Sequence, residues 1–185
     1  STLPEDLNYS KTDFTNKVLE MLLLRKEKLE KAQNIGTTLH KYAEACAWAK
    51  TAGEPQPEIP EGVEGEAVNA FISFEMLNDV EYLDSERFVY SENLGVEYIG
   101  QLDTILKLNG RNTLGDFKSS KSVYISHWIQ LMGYHLAMVE ECAFKKVPLP
   151  YEDIAIIHLD KNTGEHKIYI ATPEEIEDYI IGFKA

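Results

Sequence analysis

Apolar residues recur at helical spacing in some stretches of the chain and at alternate positions in others, and the switch between the two periods divides it into elements. Val18, Leu19, Leu22 and Leu23 predict a helix over residues 12–33, whose second half carries the basic residues Arg25, Lys26, Lys28 and Lys31. Asn34-Ile35-Gly36 predicts a break. Residues 37–50 predict an alanine-rich helix with Thr37 or Thr38 as its cap. The Pro- and Glu-rich stretch Gly53 to Gly65 predicts an exposed loop. Val68, Phe71, Ile72, Phe74 and Leu77 predict an amphipathic helix over residues 66–79.

The period then shortens to two. Glu81 to Glu92 and Val96 to Leu108 predict strands, and strict alternation would put Ile99, Gln101, Asp103, Ile105 and Lys107 on one face. Asn109-Gly110 predicts a tight hairpin turn into a return strand, Thr113 to Phe117. A helix follows over Ile125 to Glu141. Two more strands, Asp153 to Leu159 and His166 to Ile170, flank the turn Lys161-Asn162-Thr163-Gly164. Thr172-Pro173-Glu174-Glu175 opens a last helix, with Thr172 as N-cap, Pro173 at its first position and Glu175 closing a capping box. The expected fold class is mixed α/β: one domain over residues 1–185, with a central mixed sheet flanked by helices.

Composition changes this picture little. The 185 residues are 44% hydrophobic and 26% charged, which suits a globular chain. No apolar run approaches the roughly 20 residues of a membrane span, and the polar N-terminal stretch does not read as a signal peptide. Two cysteines, Cys46 and Cys142, make no disulfide framework and no four-cysteine cluster, so a reducing, cytoplasmic setting is expected.

Charge changes it more. The net charge is -13, and residues 51–103 hold most of the excess, with 1 Lys/Arg against 13 Asp/Glu. Net charge therefore argues against non-specific attraction to polyanions. If the protein handles nucleic acid, it does so at a local site where cations offset the carboxylates. A run of acid is otherwise an ordinary solvated face or a surface for a protein partner.

The hairpin carries the most informative residues. A two-residue loop at Asn109-Gly110 sets Leu108 against Arg111, and the same register brings Asp103 opposite Asp116. Lys118 lies two residues past Asp116, on the same strand face. Two ionised carboxylates about 5 Å apart repel by about 3 kcal/mol at an effective dielectric near 20. Lys118 offsets part of that repulsion, and a hard divalent cation, Mg²⁺ or Mn²⁺, would offset the rest. Without an ion, the same residues would form a solvent-facing Asp–Asp–Lys cluster.

Two more groups belong with these. Gly36, His40 and Glu44 share one helical face, and a small residue one turn before His40 allows another element to approach. Gln130 and Tyr134 share a face of the helix that follows Lys118, together with His127.

In this order the residues resemble the PD-(D/E)xK nuclease superfamily, and within it the RecB-type exonuclease branch. Gly36 and His40 match its G-x-x-x-H helix, and Glu86 its acidic residue ahead of the first motif strand. Gly100-Gln101-Leu102-Asp103 match G-x-x-D, Asp116-Phe117-Lys118 match D-x-K, and Gln130 with Tyr134 match Q-x-x-x-Y. The likeness spans about residues 34–140. It implies a restriction-endonuclease-like core. It implies that His40, Asp103, Asp116 and the backbone carbonyl of Phe117 ligate Mg²⁺ or Mn²⁺, with Glu86 and Lys118 in the catalytic set. Gln130, Tyr134 and, on the entry side, Lys121 would hold the strand. Having only two cysteines, the chain is closer to the members without an iron–sulfur cluster, such as phage exonucleases.

The expected function is therefore a metal-dependent deoxyribonuclease acting at DNA ends or on single strands. An endonuclease on the same fold, or a silent nucleic-acid-binding module, are the alternatives.

Overall fold

A computed structural model describes residues 34–92 and 97–182. Gly36–Ala185 form one compact unit; of the other, Ser1–Ile35, only Asn34 and Ile35 are described, both helical. The helix expected over 12–33, its basic stretch and the expected strand start at Val96 lie outside the described residues.

The described elements are α1 (34–52), α2 (Val63–Leu77), β1 (Val80–Ser91), β2 (Tyr98–Leu108), β3 (Arg111–Lys118), α3 (Ile125–Lys145), β4 (Asp153–Leu159), β5 (His166–Ala171) and α4 (Pro173–Gly182). The strands form one sheet in the order β1-β2-β3-β4-β5. β3 and β4 are parallel, as their connection through α3 requires, and the other neighbours are antiparallel. The protein thus has a mixed sheet flanked by helices.

Helices cover both sheet faces, so each strand contributes to two cores. On one face, Leu39, Ala43 and Ala47 of α1 and Val68, Phe71 and Phe74 of α2 pack on Leu106, Leu108, Phe117, Ile157 and Leu159. On the other, Leu131, Ala137 and Met138 of α3 and Ile176 of α4 pack on Leu102, Ile105, Leu114, Ile154 and Ile156. Burial on both sides explains the near-continuous apolar run of β4.

Several expectations shift. There is no break at Asn34-Ile35-Gly36: these residues are helical, so neither Thr37 nor Thr38 caps α1. Interior glycine weakens a helix by about 1 kcal/mol relative to alanine, but here it makes room for Ser119, whose Oγ lies 2.9 Å from where a Gly36 Cβ would stand. α2 begins three residues early, after Gly62 at φ 73°, and Leu77 is exposed while Val68, Phe71 and Phe74 are fully buried. α3 continues to Lys145, where Lys146 adopts a left-handed cap at φ 56°. At α4 the expected capping box is present: Glu175 N–H donates to Thr172 Oγ1 at 3.3 Å, and Thr172 N–H to Glu175 Oε2 at 2.9 Å.

The hairpin has the expected register. Leu108 pairs with Arg111 and the ladder runs to Thr104 and Gly115. Asn109 at φ 50° and Gly110 at φ 89° supply the two positive angles that a tight loop of this hand needs. Strict alternation along β2 does not hold. Ile105 and Leu102 join the same core, while Leu106 joins the opposite one, so the alternation slips between 102 and 105. The register that pairs Ser85 with Thr104 and Arg87 with Leu102 sets Glu86 across from Asp103 at this slip. Glu86 has φ 54°, a rare angle for a side chain with a Cβ.

Candidate metal centre

The slip in β2 decides where Asp103 points. Its Oδ2 accepts the backbone N–H of Phe117 at 2.8 Å, just beyond the last ladder pair. The same oxygen lies 3.6 Å from His40 Nε2 on α1. His40 Nε2 in turn lies 2.6 Å from Glu44 Oε1, one turn further along that helix. One ligand atom from each of His40, Glu44 and Asp103 falls within 4.8 Å of the others. Elements 63 residues apart in the chain therefore converge on a volume the size of one ion. Glu44 is the member to which sequence reasoning assigned no role, although its spacing from His40 was visible.

Asp116 is fully buried, so the expected solvent-facing arrangement without an ion does not describe it. Lys118 Nζ stands 2.6 Å from its Oδ2 as an ion pair, and neither carboxylate oxygen has a well-formed hydrogen bond. Lys118 therefore offsets only part of the cost of burying this carboxylate, whose other oxygen has no donor. Burial is the largest influence on both aspartates. It raises the Asp103 carboxyl to about 7, with the Asp116 charge adding to the rise against the pull of His40, the Phe117 N–H and Lys118. Burial also raises Asp116, which Lys118 and His40 counter. For His40, burial alone would lower the pKa; the Glu44 hydrogen bond and the Asp103 charge outweigh it and raise it.

The remaining expected residues sit around this cluster. Glu86 accepts a hydrogen bond from Gln101 Nε2 at 2.7 Å. Burial and the Glu44 charge raise its pKa while His40 lowers it, which places it in the field of the cluster. The Phe117 ring points into the core, edge-on to Phe71 and Phe74. On α3, Gln130 Nε2 donates to Tyr134 Oη at 2.6 Å. The Tyr134 hydroxyl is raised by burial, lowered by Gln130 and raised again by Asp116 and Asp103. Its ring packs against β2: a Cβ on Gly100 would come within 2.6 Å of Tyr134 Cε1. Glycine at 100 is thus what lets α3 present Tyr134 beside the carboxylates.

Lys121 is exposed on the β3–α3 loop. His127 accepts the Tyr124 N–H at Nδ1 (3.3 Å), and its pKa is lowered by burial, then by Lys118 and His158. His158 Nε2 bonds the Ser120 carbonyl at 2.6 Å. Carboxylates (Glu44, Glu86) and the Lys118 ammonium thus both act on the centre.

No protein-family model matches the chain, and no curated protein is significantly similar to it in sequence.

Proposed function

We propose that the protein is a metal-dependent nuclease, an exonuclease that hydrolyses phosphodiester bonds at DNA ends or in single strands. The observation that carries this reading is the buried Asp116 carboxylate, whose one charged partner is Lys118 at 2.6 Å, within electrostatic reach of the convergent His40, Glu44 and Asp103. A fold that buries such a group at that place gains most if a cation completes it. One imidazole nitrogen among carboxylate oxygens suits Mn²⁺, and Mg²⁺ with more water in its shell. His40, Glu44, Asp103, Asp116 and the Phe117 carbonyl are the groups to hold it. A bound divalent ion lowers the pKa of water and polarises a phosphoryl oxygen.

The chain's own residues do the rest. Lys118, tethered by Asp116 and still partly exposed, stabilises negative charge that grows on the phosphate oxygens as water attacks phosphorus. Glu86 takes up the proton that the attacking water releases. The ester oxygen leaves with the bonding pair and is protonated from solvent. The Gln130–Tyr134 pair orients the strand from α3, and Lys121 adds attraction at the entrance. Nucleic acid is the partner in this reading, in an intracellular setting. Among the described residues no helix is long and apolar enough to cross a membrane.

The test is digestion of single-stranded DNA labelled at either its 5′ or its 3′ end, with Mn²⁺ or Mg²⁺. Shortening from one end, blocked by circularising the DNA, is the expected result. Cutting of circular strands points to an endonuclease instead. No cutting with either ion, by a protein that chelator leaves unchanged, overturns the reading.

A further inference from the structure

β1 is an edge strand: among the described residues it pairs only with β2. Its outer edge therefore carries ladder groups that no strand meets. The first half of that edge is irregular, with a register shift between Tyr82 and Asp84 and with Glu86 at φ 54°. The second half is regular, Arg87 to Ser91 pairing in order with Leu102 to Tyr98. Side chains alternate along it. Val89 and Ser91 are buried, Val89 in the core beneath α3, whereas Phe88 is 66% and Tyr90 47% exposed. Yet Phe88, Tyr90 and Glu92 line a cavity of about 540 Å³ together with Glu140, Glu141 and Phe144 of α3. A cavity that touches both α3 and the residues of β1 that alternate away from it runs along the outer edge of the strand. Phe144, 88% exposed, stands on its α3 side.

The charge of this groove is one-sided. Arg87 is the single Lys/Arg of residues 51–103, and it pairs with Glu141 at 2.6 Å and Asp84 at 3.2 Å. Lys145 also pairs with Glu141. Glu92 accepts the Tyr90 hydroxyl at 2.9 Å, and its N–H donates to Glu140 Oε2 at 3.3 Å. Three aromatic rings and three carboxylates together suit an occupant that is apolar and cationic at once, since a cation is attracted by aromatic faces as well as by carboxylates. The carboxylates repel phosphate. A second copy docked about a two-fold axis would set Glu92 and Glu140 against their own like charges. We propose that the groove docks an extended segment of a partner protein in which lysine or arginine alternates with apolar residues. The segment adds a strand beside Arg87–Ser91, its apolar side chains cover Phe88, Tyr90 and Phe144, and its cations meet the acidic rim. This surface is independent of the nuclease reading.

The experiment follows the fluorescence anisotropy of a labelled nine-residue peptide of alternating lysine and valine, titrated with the full chain. Saturable binding of one peptide per chain, weakened by salt, is expected. The same peptide with glutamate for lysine should not bind. Methylating alternate backbone nitrogens should weaken binding tenfold or more, because strand addition needs those N–H groups. Phe144→Ala should weaken it about tenfold, as truncation of an aromatic anchor does; the side chain belongs to neither core, so the fold is kept. Glu92→Gln should weaken binding several-fold, and Glu58→Gln, exposed in the α1–α2 loop, should leave it unchanged. Absence of binding by wild type overturns the proposal. So do equal binding of the methylated peptide, wild-type affinity in Phe144→Ala, and an equal loss in Glu58→Gln, which would reduce the effect to overall charge. A dimer that Phe144→Ala dissociates would give the groove to a second copy, and displacement of the peptide by a single-stranded oligonucleotide would give it to nucleic acid; either overturns the assignment.

Discussion

Lys118 and Asp103 carry opposite demands. Lys118 is half of an ion pair with a carboxylate that has no well-formed hydrogen bond. If it acts on charge that develops in the transition state, Lys118→Ala lowers kcat and kcat/KM together by a factor of about 10² or more, with affinity for DNA in Ca²⁺ nearly unchanged. Lys118→Arg should also be slow, because a planar guanidinium does not replace a compact ammonium. Single-turnover cleavage beside equilibrium binding checks both, and near wild-type cleavage by Lys118→Ala removes it from the mechanism. Asp103 makes a separate prediction in chelator. Its carboxyl sits at about 7 in the folded protein and near 3.9 when unfolded. Between these values the folded state holds a proton that the unfolded state has lost, so the contribution of Asp103 is fully present below about pH 4 and is lost as pH rises to about 7. The limiting slope is about 1.4 kcal/mol per pH unit. Asp103→Asn removes this dependence. Urea unfolding from pH 4.5 to 8 should show the variant gaining on wild type as pH rises, and a constant difference would contradict the burial argument.

Elements position these residues by what their side chains leave out. Gly100 on β2 makes room for the Tyr134 ring of α3. Gly100→Ala should therefore push Tyr134 off the strand and destabilise the protein by about 1–3 kcal/mol, the usual cost of overpacking. Tyr134→Ala should relieve much of that cost, so the two changes should be strongly non-additive by denaturant unfolding. Additive losses would mean the ring is not what Gly100 accommodates. Gly36 shows the same device on α1, and there local sequence misleads: Asn34-Ile35-Gly36 looks like a helix break, yet the segment is helical because packing outweighs glycine's weak preference. By contrast the α4 start was fully legible, since Thr172, Pro173 and Glu175 satisfy their own backbone within one turn.

For the protein as a whole, folding without an ion brings together the Asp103 and Asp116 carboxylates, and a cation that bound only the folded state would offset their repulsion. Mn²⁺ at 100 times its Kd should stabilise wild type by about 2.7 kcal/mol by mass action, and should stabilise Asp103→Asn and Asp116→Asn much less. Thermal melts with and without Mn²⁺ check this, and equal shifts in the three proteins would rule out a site built on these carboxylates. The net charge of -13 argues in the same direction. Strand binding should be weak without a divalent ion, because only a local cationic centre works against the overall repulsion.

Much of this architecture can be read from local rules. Alternating or helical periodicity sets the order of elements, the Asn109-Gly110 turn sets the β2–β3 register, and that register alone brings Asp103 to the level of Asp116. These features follow from interactions between residues close in the chain, so sequence alone is enough to determine them. The centre itself does not follow that way. Glu44 joins His40 and Asp103 only because α1 packs on the sheet face that carries Leu106 and Leu108. The slip between Leu102 and Ile105, and Glu86 at φ 54° opposite it, arise where two cores compete for one strand. Phe144 of α3 shares a cavity with Phe88 and Tyr90 of β1. Such convergences depend on close packing between distant segments, whose outcome no short-range pattern encodes.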